Sequence, residues 1–302
     1  MQKKGIALLI TLLFVMLITL GVGTALKQIK DTSNDVQKQN FLFQTTMILK
    51  DVQIMLQENK DLEYITKENS VSALNLFLTT ASFIPFEAAG IKVIIELKSA
   101  REKFNPNVLK DNNETKQQIK SDLFQRFLDE KNVNNEYVTL LLDNMSKIRQ
   151  DGAYRSDIFN QNPLLFRDYI ASLEHLEQIN NFYNKKYHED INKKVDFSKL
   201  FYFKKMPYNL DLNYISSDIW QIILGCDKQR GDLLAQNSGG YEKMEDLDLS
   251  EDEIYNLSFF PHSFFEPILA VKLTVIKDNL EAKIEFEYDL KTKKGTNFIY
   301  EI

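Results

Sequence analysis

From Ile6 to Leu26 the chain runs IALLITLLFVMLITLGVGTAL, without a single charged residue. As a helix this stretch is about 32 Å long at 1.5 Å per residue, which matches a hydrocarbon core of about 30 Å. Lys3 and Lys4 precede it, so the positive-inside rule keeps the short N-terminal end in the cytoplasm and places everything after Lys27 on the far side. Apolar residues then continue at helical spacing through Ile29, Val36, Phe43, Met47, Ile48, Val52, Met55 and Leu56, with no Pro or Gly between Thr24 and Thr80. The pattern predicts one helix from Ile6 to about Asn59. Its first half suits lipid, and its amphipathic second half needs a protein surface to cover one stripe.

Three readings of the opening segment follow from its residues. Gly23-Thr24-Ala25 is a tolerable cleavage site for a secretory signal, and hydropathy alone also fits a signal anchor. The third reading is a prepilin-like leader over residues 1–5, short and basic, ending in Gly5 so that cleavage leaves Ile6 as the first residue. The amphipathic continuation favours the third, because a signal peptide has no reason to run unbroken into a helix that needs a folded head.

Composition narrows the classes of function. The chain has 302 residues, is 44% hydrophobic and 26% charged, and has a net charge of −6, so it can bury a core. An acidic balance without a long basic run argues against a nucleic-acid partner. Cys226 is the single cysteine, so no intrachain disulfide or cysteine zinc cage forms. His175, His188 and His262 have no second histidine at ligand spacing and no nucleophile at a diagnostic one. No catalytic residue stands out, and a non-enzymatic role is expected.

The remainder divides by texture. Ile91 to Leu97 reads as a strand. Helical spacing dominates from 111 to about 257, with one helix marked by Ile119, Leu123, Phe124, Phe127 and Leu128. Tyr137, Val138, Leu141, Leu142, Met145 and Ile148 mark a second. Ser172 opens another, Ser216 and Ser217 cap a short helix ending at Gly225, and Ser250 with Glu253 forms a capping-box pair. Residues 268–302 alternate apolar and polar in three strands separated by Asp278-Asn279 and by a Lys293-Lys294-Gly295 turn. Pairing these strands with the early one and laying the sheet on the amphipathic half-helix covers the apolar faces. The expected fold is therefore α+β: a long N-terminal helix packed on an antiparallel sheet, with a large all-helical insertion. In residue numbers it comprises a leader at 1–5, a transmembrane half-helix at 6–26 and an amphipathic half at 27–60. The sheet domain takes 61–110 and 258–302, and the helical insertion takes 111–257.

That layout resembles the K-type minor pseudopilins of bacterial type II secretion systems, within the type IV pilin-like superfamily. Gly5 before IALLITLLFVMLITL resembles their leader junction, and Lys103-Phe104-Asn105-Pro106-Asn107-Val108-Leu109 resembles an Asn-x-Asn stretch after the first strand, with Pro106 a departure. Asp211-Leu212-Asn213 is similar to a second such segment. Asn105, Asn107, Asp211 and Asn213 are the positions that carry the motif here, while the family's Trp-Ile-Asp-rich loop has at best a remnant at Leu142-Asp143-Asn144-Met145.

The resemblance implies cleavage after Gly5 and methylation of the Ile6 amine by a prepilin peptidase. It also implies a single-pass subunit of the bacterial inner membrane with its head in the periplasm, and I- and J-type minor pseudopilins and the major pseudopilin as partners. Counting from Ile6, the fifth position is Ile10, where most pilin-like subunits carry a glutamate that pairs with a neighbour's N-terminal amine. K-type proteins lack it too, which implies a place at the fibre tip. A bilayer-buried hydrophobic residue also needs no special account. The function expected is to start and cap a periplasmic pseudopilus. A minor pilin of a type IV pilus or DNA-uptake system, or an unrelated signal-anchored periplasmic binding protein, remains open at this point.

Some K-type pseudopilins bind calcium through acidic loops. Here Asp246, Asp248, Glu251 and Asp252 sit in an acidic run that begins like an EF-hand, but Glu251 replaces the required Gly and Leu257 the closing Glu. An irregular calcium site or a solvated acidic surface both fit. Trp220 reads as core, and the phenylalanines from 259 to 265 read as a seal between insertion and sheet.

Overall fold

A computed structural model describes residues 35–148 and 152–301. The first helix, α1, covers 35–58 without a break, as expected of a stretch free of Pro and Gly. It stops at Asn59, whose side chain accepts from the N–H groups of Asp61 and Leu62 and so caps the next helix, α2 (Lys60–Glu68). Ser70 caps α3 (Val71–Thr80) in the same way. The sequence reading ends the long helix at about Asn59, where α1 stops, but places residues 61–110 in the sheet domain without these two helices.

The chain then forms β1 (Phe83–Ala88) and β2 (Ile91–Ser99), joined by Ala89-Gly90 with both φ positive. Next come α4 (Glu114–Glu130), α5 (Glu136–Asn144), α6 (Ile158–Gln161), α7 (Leu173–Tyr187) and α8 (Phe197–Leu200). The two-residue strand β3 (Leu210–Asp211) precedes α9 (Ser217–Leu224), α10 (Lys228–Gln236) and α11 (Glu251–Leu257), and β4 (His262–Ser263) pairs in parallel with β3. The chain closes with β5 (Ile268–Lys277), β6 (Leu280–Asp289) and β7 (Lys294–Glu301).

The main sheet has the order β1-β2-β5-β6-β7 and is antiparallel throughout. The early hairpin is thus stitched to the terminal meander, and everything from Ala100 to Pro267 is inserted between neighbouring strands. β1 escaped the sequence reading because Pro85 interrupts it. An edge strand tolerates proline, since one side of its backbone has no ladder to feed. The Lys293-Lys294-Gly295 turn is corrected as well. Asp289 accepts from the N–H groups of Lys291 and Thr292, so the chain reverses earlier, and Gly295 lies inside β7. A Cβ there would sit 3.0 Å from Gln53 of α1 and 2.8 Å from the Phe298 ring, so glycine permits the close approach of helix to sheet.

Two apolar cores result. In one, Phe41, Leu49, Val52 and Leu56 of α1 lie on the sheet face formed by Val93, Ile95, Leu97, Leu273, Val275 and Ile284. Lys277 of β5 donates to Gln44 of α1 at 2.9 Å. The opposite sheet face carries Lys272 between Glu96 and Glu285, as the alternation predicts. The second core is built by the inserted helices, with Trp220 fully buried beside Tyr241. Phe260 joins this second core and Phe265 packs on the first, so the phenylalanine run bridges the two. The Ser250–Glu253 capping box and the αL glycine cap at Gly225 form as read, and Ser172 caps α7.

Where the cores meet, Glu287 of β6 is almost fully buried. It accepts from Arg101 at 3.1 Å, from Lys204 at 2.9 Å and from the Tyr202 hydroxyl. Burial alone would raise its pKa, but these three donors outweigh it and hold the carboxyl below its ordinary value. Arg101→Ala leaves Lys204 and Tyr202 in place. It is expected to cost about 2 kcal/mol, less than the full price of orphaning a buried charge. Urea unfolding at neutral pH measures this, and an unchanged midpoint would show the ion pair to be dispensable.

Candidate functional site

The helix α1 carries two apolar stripes, not one. Advancing about 100° per residue, Phe41, Thr45, Val52 and Leu56 cluster on the face that meets the sheet, with Leu49 beside them. Val36, Phe43, Met47 and Ile54 fall within about 40° of arc on the opposite side, and are 49, 68, 48 and 40% exposed. Of the residues predicted to face the head, Ile48, Val52 and Leu56 do so. Val36, Phe43 and Met47 point to solvent, and Met55 is exposed off to one side. Apolar spacing by itself merged two faces that the angular positions separate.

The outward stripe has spacings of seven, four and seven, which is the d and a pattern of a coiled-coil seam about 27 Å long. Asn40 and Lys50 occupy the two intervening seam positions, and both are exposed. A polar residue at such a position fixes the register of a partner helix at some cost in stability. The face offers apolar side chains at the spacing that a second helix would need to pack on it.

The Asn-x-Asn positions are brought to the roots of the inserted block, where they pin loops. Asn105 donates to the carbonyls of Lys204 and Met206 and accepts from Asn107 N–H. Asn107 donates to Ile170 and Lys204 and accepts from Ile170 N–H at 2.7 Å. Pro106 sits at the start of a short 3-10 turn, where its missing N–H is not needed, so the departure from the motif is harmless. Asn213 donates to the carbonyls of Tyr241 and Phe264 and accepts from the N–H groups of Gly239 and Tyr241. Asp211, wholly buried, accepts from the N–H groups of Asn213 and Glu266. Burial, with a smaller push from the Glu266 carboxylate, raises its pKa to about 7 against the opposing pull of those two N–H groups.

In the acidic run, several carboxylates are engaged by their own backbone and by Arg230. Asp246 accepts from the N–H groups of Glu242 and Lys243, which hold its carboxyl below the ordinary range. Asp248 ends a 3-10 turn in the αL conformation, and Glu251 and Asp252 occupy the first turn of α11 with their side chains exposed or nearly so. Glu253 is held by Arg230 and Ser250. Among the described residues no group of three or more His, Cys, Asp or Glu is placed to hold a metal ion. The run stabilises helix starts, where the macrodipole favours negative charge.

Gly5, Ile6 and Ile10 lie outside the described residues, as does the apolar span over 6–26. Among the described residues no helix is long and apolar enough to cross a membrane.

No protein-family model matches this chain, and no curated protein matches it. Among solved structures, it is similar to a chain in the crystal structure of the GspK-GspI-GspJ complex from the enterotoxigenic Escherichia coli type 2 secretion system. The identity is 12% and the TM-score 0.49, over 85% of this chain and 99% of that one. A likeness of this size bears on neither activity nor partners.

Proposed function

We propose that this chain is a minor pseudopilin, a non-enzymatic subunit that starts and caps the tip of a periplasmic fibre serving protein secretion. The observation that carries the reading is the second apolar stripe of α1. A helix already seated on its own head has no use for Val36, Phe43, Met47 and Ile54 in water, whereas a subunit of a helix-packed fibre does. The uncharged run from Ile6 to Leu26 supports anchorage in the bacterial inner membrane, with the head in the periplasm. The resemblance to K-type subunits suggests I- and J-type minor pseudopilins on the stripe, with the major pseudopilin below. It also suggests that a prepilin peptidase cleaves after Gly5 and methylates Ile6. With Ile10 in place of glutamate, the subunit makes no carboxylate–amine pairing to a neighbour above, which suits the tip. No metal enters this reading.

The test is co-purification of the full chain with tagged I- and J-type subunits, comparing wild type with a Phe43→Glu, Met47→Glu double variant. Two carboxylates on the seam are expected to cut recovery at least about tenfold. Both side chains face solvent, so head folding stays intact. Mass spectrometry of the native protein should find methylated Ile6 at the N-terminus. Undiminished recovery of the double variant, or a native start other than Ile6, would sink the proposal.

A further inference from the structure

A groove of about 1020 Å³ runs along the inserted block, away from α1 and from the sheet. That is at the upper limit of small-molecule sites and suits a short stretch of polypeptide better. Among the described residues five basic side chains line it: Lys110, Lys120, Lys147, Arg155 and Lys205. The carboxylates that line it number three and are all committed. Asp111 holds Lys120 at 2.8 Å, Asp143 accepts from the backbone and hydroxyl of Ser156, and Asp168 holds Lys205 at 2.8 Å. The described lining therefore carries an excess of two positive charges on a chain whose net charge is −6.

The arrangement around Asp168 is specific. Lys205 bonds to it at 2.8 Å, Lys147 and Lys110 line the same groove, and together these lysines hold its carboxyl below the ordinary range. Asp168 adopts φ 102, a conformation costly for any residue with a Cβ, and two carbonyls, of Asn144 and Ser146, hold its N–H there. Each of two lips pairs a lysine with the apolar residue after it. Lys147 precedes Ile148 and Lys205 precedes Met206, and these two apolar side chains are 76 and 73% exposed. Tyr169 and Pro207 also line the groove, and Lys205 Nζ lies 5.2 Å from the centre of the Tyr169 ring.

From this we infer that the groove receives an extended segment of a partner protein in which carboxylates alternate with apolar side chains. The carboxylates would join Asp168 among the lysines, and the apolar side chains would cover Ile148 and Met206. Charge complementarity of this kind sets specificity and speeds association. The inference is independent of the assembly role of α1.

The experiment uses the full chain in a non-ionic detergent and a fluorescein-labelled octapeptide of alternating Glu and Leu. Gln/Leu and Lys/Leu versions serve as controls, with fluorescence anisotropy as the readout. The Glu/Leu peptide is expected to bind at least about tenfold more tightly than the Gln/Leu peptide and to weaken as salt is raised. A Lys147→Glu, Lys205→Glu double variant should lose about tenfold in affinity, and Met206→Ser several-fold. Met206 is largely exposed, so its variant keeps the measurement valid if the charge reversals disturb folding. The Phe43→Glu, Met47→Glu protein should bind the peptide normally, which separates a failure here from a failure of the assembly reading. Equal binding of Glu/Leu and Gln/Leu peptides, or no loss in either groove variant, would overturn the inference. So would competition by phosphatidylglycerol vesicles at equal strength, which would assign the groove to a lipid surface.

Discussion

Asn213→Ala should lower the free energy of unfolding by about 4 kcal/mol, read as a drop of roughly 10 °C in melting temperature or an equivalent shift in urea midpoint. The side chain is 1% exposed and uses its full hydrogen-bonding capacity, with two donors to Tyr241 and Phe264 and two acceptor sites taken by Gly239 and Tyr241. Truncation strands four backbone groups at once, three of them buried and the Phe264 carbonyl partly so. Each costs about 1–3 kcal/mol when left without a partner, and a water entering the small cavity would recover part of the loss. Asn213→Asp should be as damaging, because a carboxylate would face two carbonyl oxygens. A loss below about 1 kcal/mol for either variant would mean that the loop after α10 holds its course without this side chain.

The position of Asn213 in the sequence hinted that it mattered, but not how. Resemblance singled out Asn105, Asn107, Asp211 and Asn213, while their partners lie tens of residues away and leave no local trace. Features written into neighbouring residues were legible. The strand over 91–97, the helix through Leu123 and Phe127, the Ser250–Glu253 box and the glycine stop at 225 each depend on contacts within a few positions. The α+β plan followed from those pieces, because the strands had an apolar face and α1 had a stripe to lay on it.

The misreadings came from places where two signals overlap. Both apolar stripes of α1 obey helical spacing, so counting apolar residues could not separate the face on the sheet from the face in water. Plotting them by angle would have done so. β1 was hidden by Pro85, and the edge position that excuses a proline is a property of the whole sheet. The basic groove was not legible at all. Lys110, Lys147 and Lys205 lie far apart in the sequence and meet only because α5, the following turn and the segment after α8 fold together.

Asp211 yields the largest pH effect. Its carboxyl is buried at the point where the chain leaves β2 and later returns to β5: its N–H bonds to Arg101 O, and its carboxylate accepts from Glu266 N–H. Folding raises its pKa from an ordinary 3.8 to about 7, chiefly through burial. The sign follows directly. Between these values the folded protein binds a proton that the unfolded chain has released, so stability falls as pH rises from about 4 to about 7 and is flat above. The full span is on the order of 4 kcal/mol at about 1.4 kcal/mol per pH unit. His175 works against it, since burial lowers its pKa and its contribution is lost as pH drops below the ordinary histidine value. The difference between wild type and Asp211→Asn cancels that background. The amide turns its N–H₂ toward one of the two backbone donors, a penalty that does not vary with pH. Relative to wild type, Asp211→Asn should therefore be several kcal/mol more favourable at pH 8 than at pH 4.5, measured by urea unfolding at both. Parallel profiles for the two proteins would show that the carboxyl titrates alike in both states, and that burial does not raise its pKa.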